Sequence, residues 1–137
     1  MVVSYSQIDK KWANKFIGNT NLTFKKYACF ITSIAMLDGR TPLEINKILT
    51  DGKAINKDGL LFPAKAADLL GMTYSYKKSN DVFPCICETN HYRKLGIPQH
   101  FFTMLDGIKI IDPLGGIKIN NPYKIVSYRL FTKDVPA

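Results

Sequence analysis

Cys29, His100 and Asp112 are the residues of this chain best suited to nucleophilic chemistry, and they lie far apart along it. A thiolate can attack a carbonyl carbon, an imidazole can take and return the thiol proton, and a carboxylate behind the ring can fix its tautomer and orientation. Such groups need to meet only in the folded chain. Cys29 lies in residues 27–37, a run that is apolar almost all round, the pattern of a helix buried in a core. In the first turn of that helix, unpaired amides and the positive end of the helix dipole favour a thiolate, and Lys25 and Lys26 just upstream push the same way. A developing oxyanion also needs a donor, for which the Gln7 amide is a candidate. Each residue has an ordinary reading too. A buried free cysteine acts as a small hydrophobe, a strand histidine is commonly a hydrogen-bonded fixture, and Asp112-Pro113 can simply open a turn.

Whether His100 and Asp112 meet depends on a hairpin register. Directly opposed positions of two antiparallel strands share a face. With a three-residue loop at 105–107 and Gly107 left-handed, Met104 faces Ile108 and His100 faces Asp112. With a two-residue Asp106-Gly107 turn, Asp112 opposes Phe101 and points away from the ring. Asp-Gly favours the tight turn, both loop types occur, and only an odd-length loop or a bulge keeps the pair together.

The elements that must carry these residues follow from the changing period. The first 27 residues are polar, with a single tryptophan, and read as a short helix and loop. The buried helix should stop at Gly39. Thr41, Pro42 and Glu44 have the form of a capping box for a second helix to about Leu49. A third covers 63–70 and is closed by Gly71. Beyond it, 72–76, 82–87, 100–105, 108–112, 117–119 and 123–131 are rich in aromatic and β-branched residues separated by turn signals. Helices first and strands second predict an α+β fold, with the helices, including a buried central one, packed on a C-terminal antiparallel sheet.

The chain has 137 residues, 46% hydrophobic and 22% charged, without repeats or a Ser/Gly linker, so one domain over 1–137 is expected. Three cysteines, an odd count, fit a reducing compartment better than a disulfide framework. The opening residues Met1-Val2-Val3-Ser4-Tyr5 have neither region of a secretory signal, and no run is long enough to span a bilayer, so a cytoplasmic location is expected. The net charge of +8 implies attraction to polyanions. Its lysines are dispersed, however, and form no basic helix or aromatic platform, so no specific nucleic-acid site is read from them.

Other candidates are weaker. Cys85 and Cys87 with His91 could be imagined as three zinc ligands, but a fourth is missing and a buried strand accounts for the cysteines. His91 rivals His100 as a base but lacks a carboxylate on a matching strand, and is assigned a place in the cleft, in contact with substrate. Asp51-Gly52 and Asp58-Gly59 fail calcium-loop spacing and read as turns. No cofactor or metal is called for.

The ordered set Gln7, Asp9 and Trp12, then Ala28-Cys29 with Thr32-Ser33-Ile34-Ala35-Met36, then His100-Phe101-Phe102 and Ile110-Ile111-Asp112-Pro113, resembles the papain-like cysteine peptidases. Within them it is most similar to the bacteriocin-leader-processing type and its bacterial and bacteriophage relatives. The resemblance spans residues 5–113. It implies a papain-like fold, with Cys29 as nucleophile, His100 as base, Asp112 as orienter and Gln7, with the Cys29 amide, as oxyanion donor. Trp12 and Asp9 match the start motif, where a structural role is implied. Ala28 departs from the glycine usual before the cysteine, and the gap from Gln7 to Cys29 is longer than in papain. The implied activity is a peptidase or amidase acting through a thioester, monomeric, on protein or on the stem peptide of peptidoglycan. A phage lysis or host-interaction enzyme, released to the wall, would suit the charge. The competing expectation is a catalytically silent module of the same fold that binds a peptide or partner protein.

Overall fold

The change of period at Gly71 divides the observed chain as well as the sequence. The computed structural model describes residues 2–97 and 99–133. Among them, four helices precede six strands: α1 (Phe24–Tyr27), α2 (Cys29–Asp38), α3 (Pro42–Asp51), α4 (Pro63–Leu69), β1 (Met72–Lys77), β2 (Cys85–Thr89), β3 (His100–Met104), β4 (Ile110–Asp112), β5 (Gly116–Lys118) and β6 (Ser127–Lys133). A short 3-10 turn (Arg93–Leu95) interrupts the strands.

Local chemistry sets the helix ends. Gly39 terminates α2 at φ 99°, a left-handed conformation that costs glycine nothing. The capping box of α3 closes in both directions: Glu44 N–H donates to Thr41 Oγ1 at 3.2 Å, and Thr41 N–H to Glu44 Oε1 at 3.0 Å. Gly71, also left-handed, turns the chain from α4 into β1.

The strands form one sheet in the order β1-β6-β2-β3-β4-β5, and every neighbouring pair is antiparallel. Alternation along the strands separates two clusters. Ile86, Phe101 and Phe131 pack with Ile34, Ala35, Ile45, Leu49 and Ala66 of the helices. Cys85, Cys87, Phe102, Met104, Ile110 and Leu130 join Tyr123 on the opposite face. The fold is thus α+β, with residues 31–36 of α2 buried between the sheet and α3, and α4 packed on β1.

Several strand boundaries differ from expectation, and three of the differences have a local cause. β2 begins at Cys85 rather than Val82, because Pro84, after a cis bond to Phe83, has no N–H for the ladder. β6 begins at Ser127 rather than Tyr123. There Asn121 accepts Tyr123 N–H at 2.9 Å and donates to Tyr123 O at 3.1 Å, holding that stretch in a turn. The hairpin adopts neither expected loop. Asp106 Oδ1 accepts Ile108 N–H at 3.0 Å and Lys109 N–H at 2.8 Å, while Leu105 N–H closes on Lys109 O at 2.8 Å. These bonds make a five-residue loop, 105–109, and Met104 opposes Ile110 instead of Ile108.

Candidate active site

Helix α2 lies along β3 in the same direction. Phe30 stacks on Phe101 with centroids 4.1 Å apart, and further along Thr103 Oγ1 donates to Ser33 O at 3.4 Å. One step before Phe30 and Phe101 stand Cys29 and His100, the first residues of their elements. The apolar packing of one helix on one strand brings the thiol to the start of β3, where it interacts with the imidazole although His100 lies on the face opposite Phe101.

His100 Nε2 lies 2.7 Å from Asp112 Oδ1. His100 is 1% exposed and Asp112 fully buried. Burial alone would depress the imidazole, but Asp112 and the nearby Cys29 thiol overcome it and raise His100 to about 9. Burial acts on Asp112 in the opposite sense, and the bond to His100, helped by Tyr123 and the Leu114 amide, holds its carboxyl down at about 2. The ring's other nitrogen, Nδ1, is buried without a hydrogen-bond partner. It is the nitrogen left for the thiol, which lies close enough to act on the ring without a hydrogen bond of ordinary geometry. Loose resting contacts of this kind are common before a substrate tightens a site.

Two tyrosines complete the carboxylate's surroundings, and no spacing in the sequence pointed to them. Oδ1 accepts Leu114 N–H at 2.9 Å besides the histidine. Oδ2 accepts the Tyr92 hydroxyl at 3.0 Å and the Tyr123 hydroxyl in a short bond, and the two hydroxyls lie 3.0 Å from each other. The Tyr92 ring also meets His100 edge to face at 4.7 Å. Burial and the adjacent carboxylate push both phenols upward, so they remain donors. The available clue was physical rather than positional: a buried strand aspartate needs more than one donor.

The other two assignments sit differently. Gln7 is fully buried and reaches the turn of helix before Cys29, but its Nε2 donates to Phe24 O and Lys25 O, each at 3.2 Å. Its N–H groups face those carbonyls, so in this resting geometry they are not offered to an oxyanion. Its backbone N–H donates to Pro113 O at 3.0 Å, tying the N-terminal segment to the turn after Asp112. Trp12 Nε1 donates to Ser6 O at 2.7 Å and Asp9 accepts Lys11 N–H at 2.9 Å, which brace that segment. His91 does not line the cleft described next. It is exposed and packs against Tyr92 and Tyr123 with centroids 4.9 and 4.7 Å away. It meets the tyrosine pair rather than the cleft.

Cys29 is 7% exposed, and that exposure opens on a cleft of about 320 Å³. Phe30, Phe101, Leu60 and Leu61 provide apolar walls, and Gln99 and Arg129 are polar. Arg129 is anchored by Glu88 at 3.1 Å and lies over the Tyr76 ring at 4.8 Å. Cys85 and Cys87 are fully buried in β2. Among the described residues no group of three His, Cys, Asp or Glu side chains could hold a metal ion, and no helix is long and apolar enough to cross a membrane.

The chain matches no family model, no curated protein and no solved structure.

Proposed function

We propose that this protein is a papain-like cysteine peptidase or amidase that hydrolyses a peptide bond through a thioester. The observation that carries the reading is the line of Cys29, His100 and Asp112, with the imidazole bonded to the carboxylate through Nε2 and its Nδ1 left for a thiol that opens on a cleft. The Cys29 proton passes to Nδ1, and the sulfur attacks the carbonyl carbon of the substrate. The tetrahedral intermediate collapses as the imidazolium gives its proton to the leaving amine, the C–N bond breaks and a thioester remains. His100 then deprotonates a water, which attacks the thioester and releases the acid and the thiol. Asp112 holds the ring in the one tautomer and orientation that serve both steps. Amides at the start of α2 supply oxyanion donors, and Gln7 joins them only by releasing Phe24 O and Lys25 O.

The apolar walls favour a substrate with a bulky apolar side chain beside the scissile bond. The charge of +8 suits an anionic cell wall, which places the stem peptide of peptidoglycan beside protein as substrate, and with it a role in phage lysis or host interaction. The test is incubation of wild type and Cys29→Ala with purified cell walls and with casein. Release of new amino groups from one substrate by wild type alone is the expected result. Equal behaviour of the two proteins on both substrates, with peptide binding retained, would make the protein a silent binding module.

A further inference from the structure

The mechanism above uses one oxygen of Asp112; the other oxygen carries a built hydrogen-bond arrangement that it does not use. Tyr92 and Tyr123 both donate to Oδ2, one from the loop after β2 and one from the loop before β6, and their hydroxyls also touch each other. A carboxylate that only orients a ring needs no such pair, because His100 and the Leu114 amide already fix Oδ1. Two hydroxyls on a buried carboxylate do something else: they share its negative charge.

That matters because the imidazole has two opposed tasks. A strong carboxylate helps it accept the thiol proton but makes the imidazolium reluctant to part with it. We propose that Tyr92 and Tyr123 are positioning residues that temper the charge Asp112 presents to His100, so that the imidazolium remains a competent acid toward the leaving amine. The inference rests on the hydrolase reading for its purpose, though not for its geometry.

Few other groups act on this cluster. Cys29 meets His100 from α2. Lys118 of β5 comes near Oδ2: a Cβ added to Gly115 would stand 3.2 Å from that oxygen and 3.5 Å from the Lys118 ammonium. The His91 ring rests on both tyrosines from the solvent side. Lys118 and His91 stay in place in the variants below, so their influence is common to all.

The chain has two histidines, so imidazole resonances are simple to follow. The test titrates labelled histidine by NMR in Cys29→Ala, where the thiol no longer contributes, and in the same protein with Tyr123→Phe or Tyr92→Phe. His100 is assigned by its loss in His100→Gln, and the amide spectrum reports folding. The expected result is an upward displacement of the His100 midpoint by about half a pH unit or more in Tyr123→Phe, and a smaller one in Tyr92→Phe. In the active protein, Tyr123→Phe should lower kcat about three- to tenfold with KM unchanged and move the alkaline limb of the kcat profile upward. A midpoint that stays or falls in both folded variants overturns the inference, and does so even if the wild type hydrolyses its substrate. A raised midpoint in a protein whose wild type hydrolyses nothing overturns instead the reading of the site as a hydrolase.

Discussion

His100 Nε2 and Asp112 Oδ1 lie 2.7 Å apart although the two residues are not opposite each other in the sheet. With Met104 paired to Ile110 and Thr103 to Ile111, the same register puts Asp112 across from Phe102, one pleat away from His100 along β3. The pair is diagonal, on the face that also carries Phe102, Met104 and Ile110. A diagonal pair is within reach only of longer side chains, and an imidazole reaching to a carboxylate meets that condition. The five-residue loop thus preserves the shared face while shifting the partners by two positions.

Removing the carboxylate should be costly in two ways. Asp112→Ala leaves His100 Nε2, the Leu114 amide and two tyrosine hydroxyls without their buried acceptor. Chemical denaturation should show a loss of about 3–5 kcal/mol, the usual cost of breaking a buried, bonded charge. Asp112→Asn keeps an acceptor oxygen and should fold more stably than Asp112→Ala while losing as much as about 10⁴-fold in kcat. Equal stability of the two variants would contradict this.

The pH dependence of stability has a definite sign. His100 is raised to about 9 in the folded protein, above its ordinary value near 6.5, so its contribution is full below about 6.5 and is lost as pH rises through about 9. Asp112 is depressed to about 2, so its contribution is present above about 3.9 and is lost as pH falls through about 2. The two shifts share the His100–Asp112 bond, which counts once. Thermal melts should therefore fall between pH 6.5 and 9.5 in wild type, and His100→Gln should flatten that fall. Parallel curves for the two proteins over this range would rule the coupling out.

The cleft wall is open to a specificity test. Leu60 is 59% exposed and lines the cleft, so Leu60→Asp removes little packing but puts a charge in the cleft on which the thiol opens. The variant should melt within a few degrees of wild type and lose about tenfold in kcat/KM on substrates with an apolar side chain next to the scissile bond. Unchanged kcat/KM would show that substrate does not lie in this cleft.

The α+β order was legible because helical and strand periods do not overlap in this chain. Gly39, Gly71 and the Thr41–Glu44 capping box are local signals, and each ends or starts an element where it stands. The hairpin was not legible to the residue, because Asp106 gathers two amides and enlarges the loop beyond the Asp-Gly preference. Parity survived that error, since three and five are both odd. Tyr92 and Tyr123 carried no sequence signal as site residues, because their link to Asp112 exists only where two loops meet the end of β4. Gln7 reaches the turn before Cys29, but its side-chain direction depends on which carbonyls lie nearest, and no sequence pattern encodes those.

The capping box offers a local check of the helical layer. Thr41→Ala removes the acceptor of Glu44 N–H at the start of α3. A loss of about 1 kcal/mol in denaturant is expected, without change in activity at the distant thiol. No measurable loss would mean that packing of Ile45 and Leu49 alone fixes α3.

The unity of thiol and imidazole is most directly tested by the rate of iodoacetamide alkylation at each cysteine, followed by mass spectrometry near pH 6.5 in wild type and His100→Gln. Cys29 should react at least about tenfold faster than Cys85 and Cys87, which are fully buried, and should lose most of that advantage in His100→Gln. Alkylation of Cys29 as slow as that of the two buried cysteines, or at the same rate without His100, would contradict the claim that the two groups act as one nucleophile.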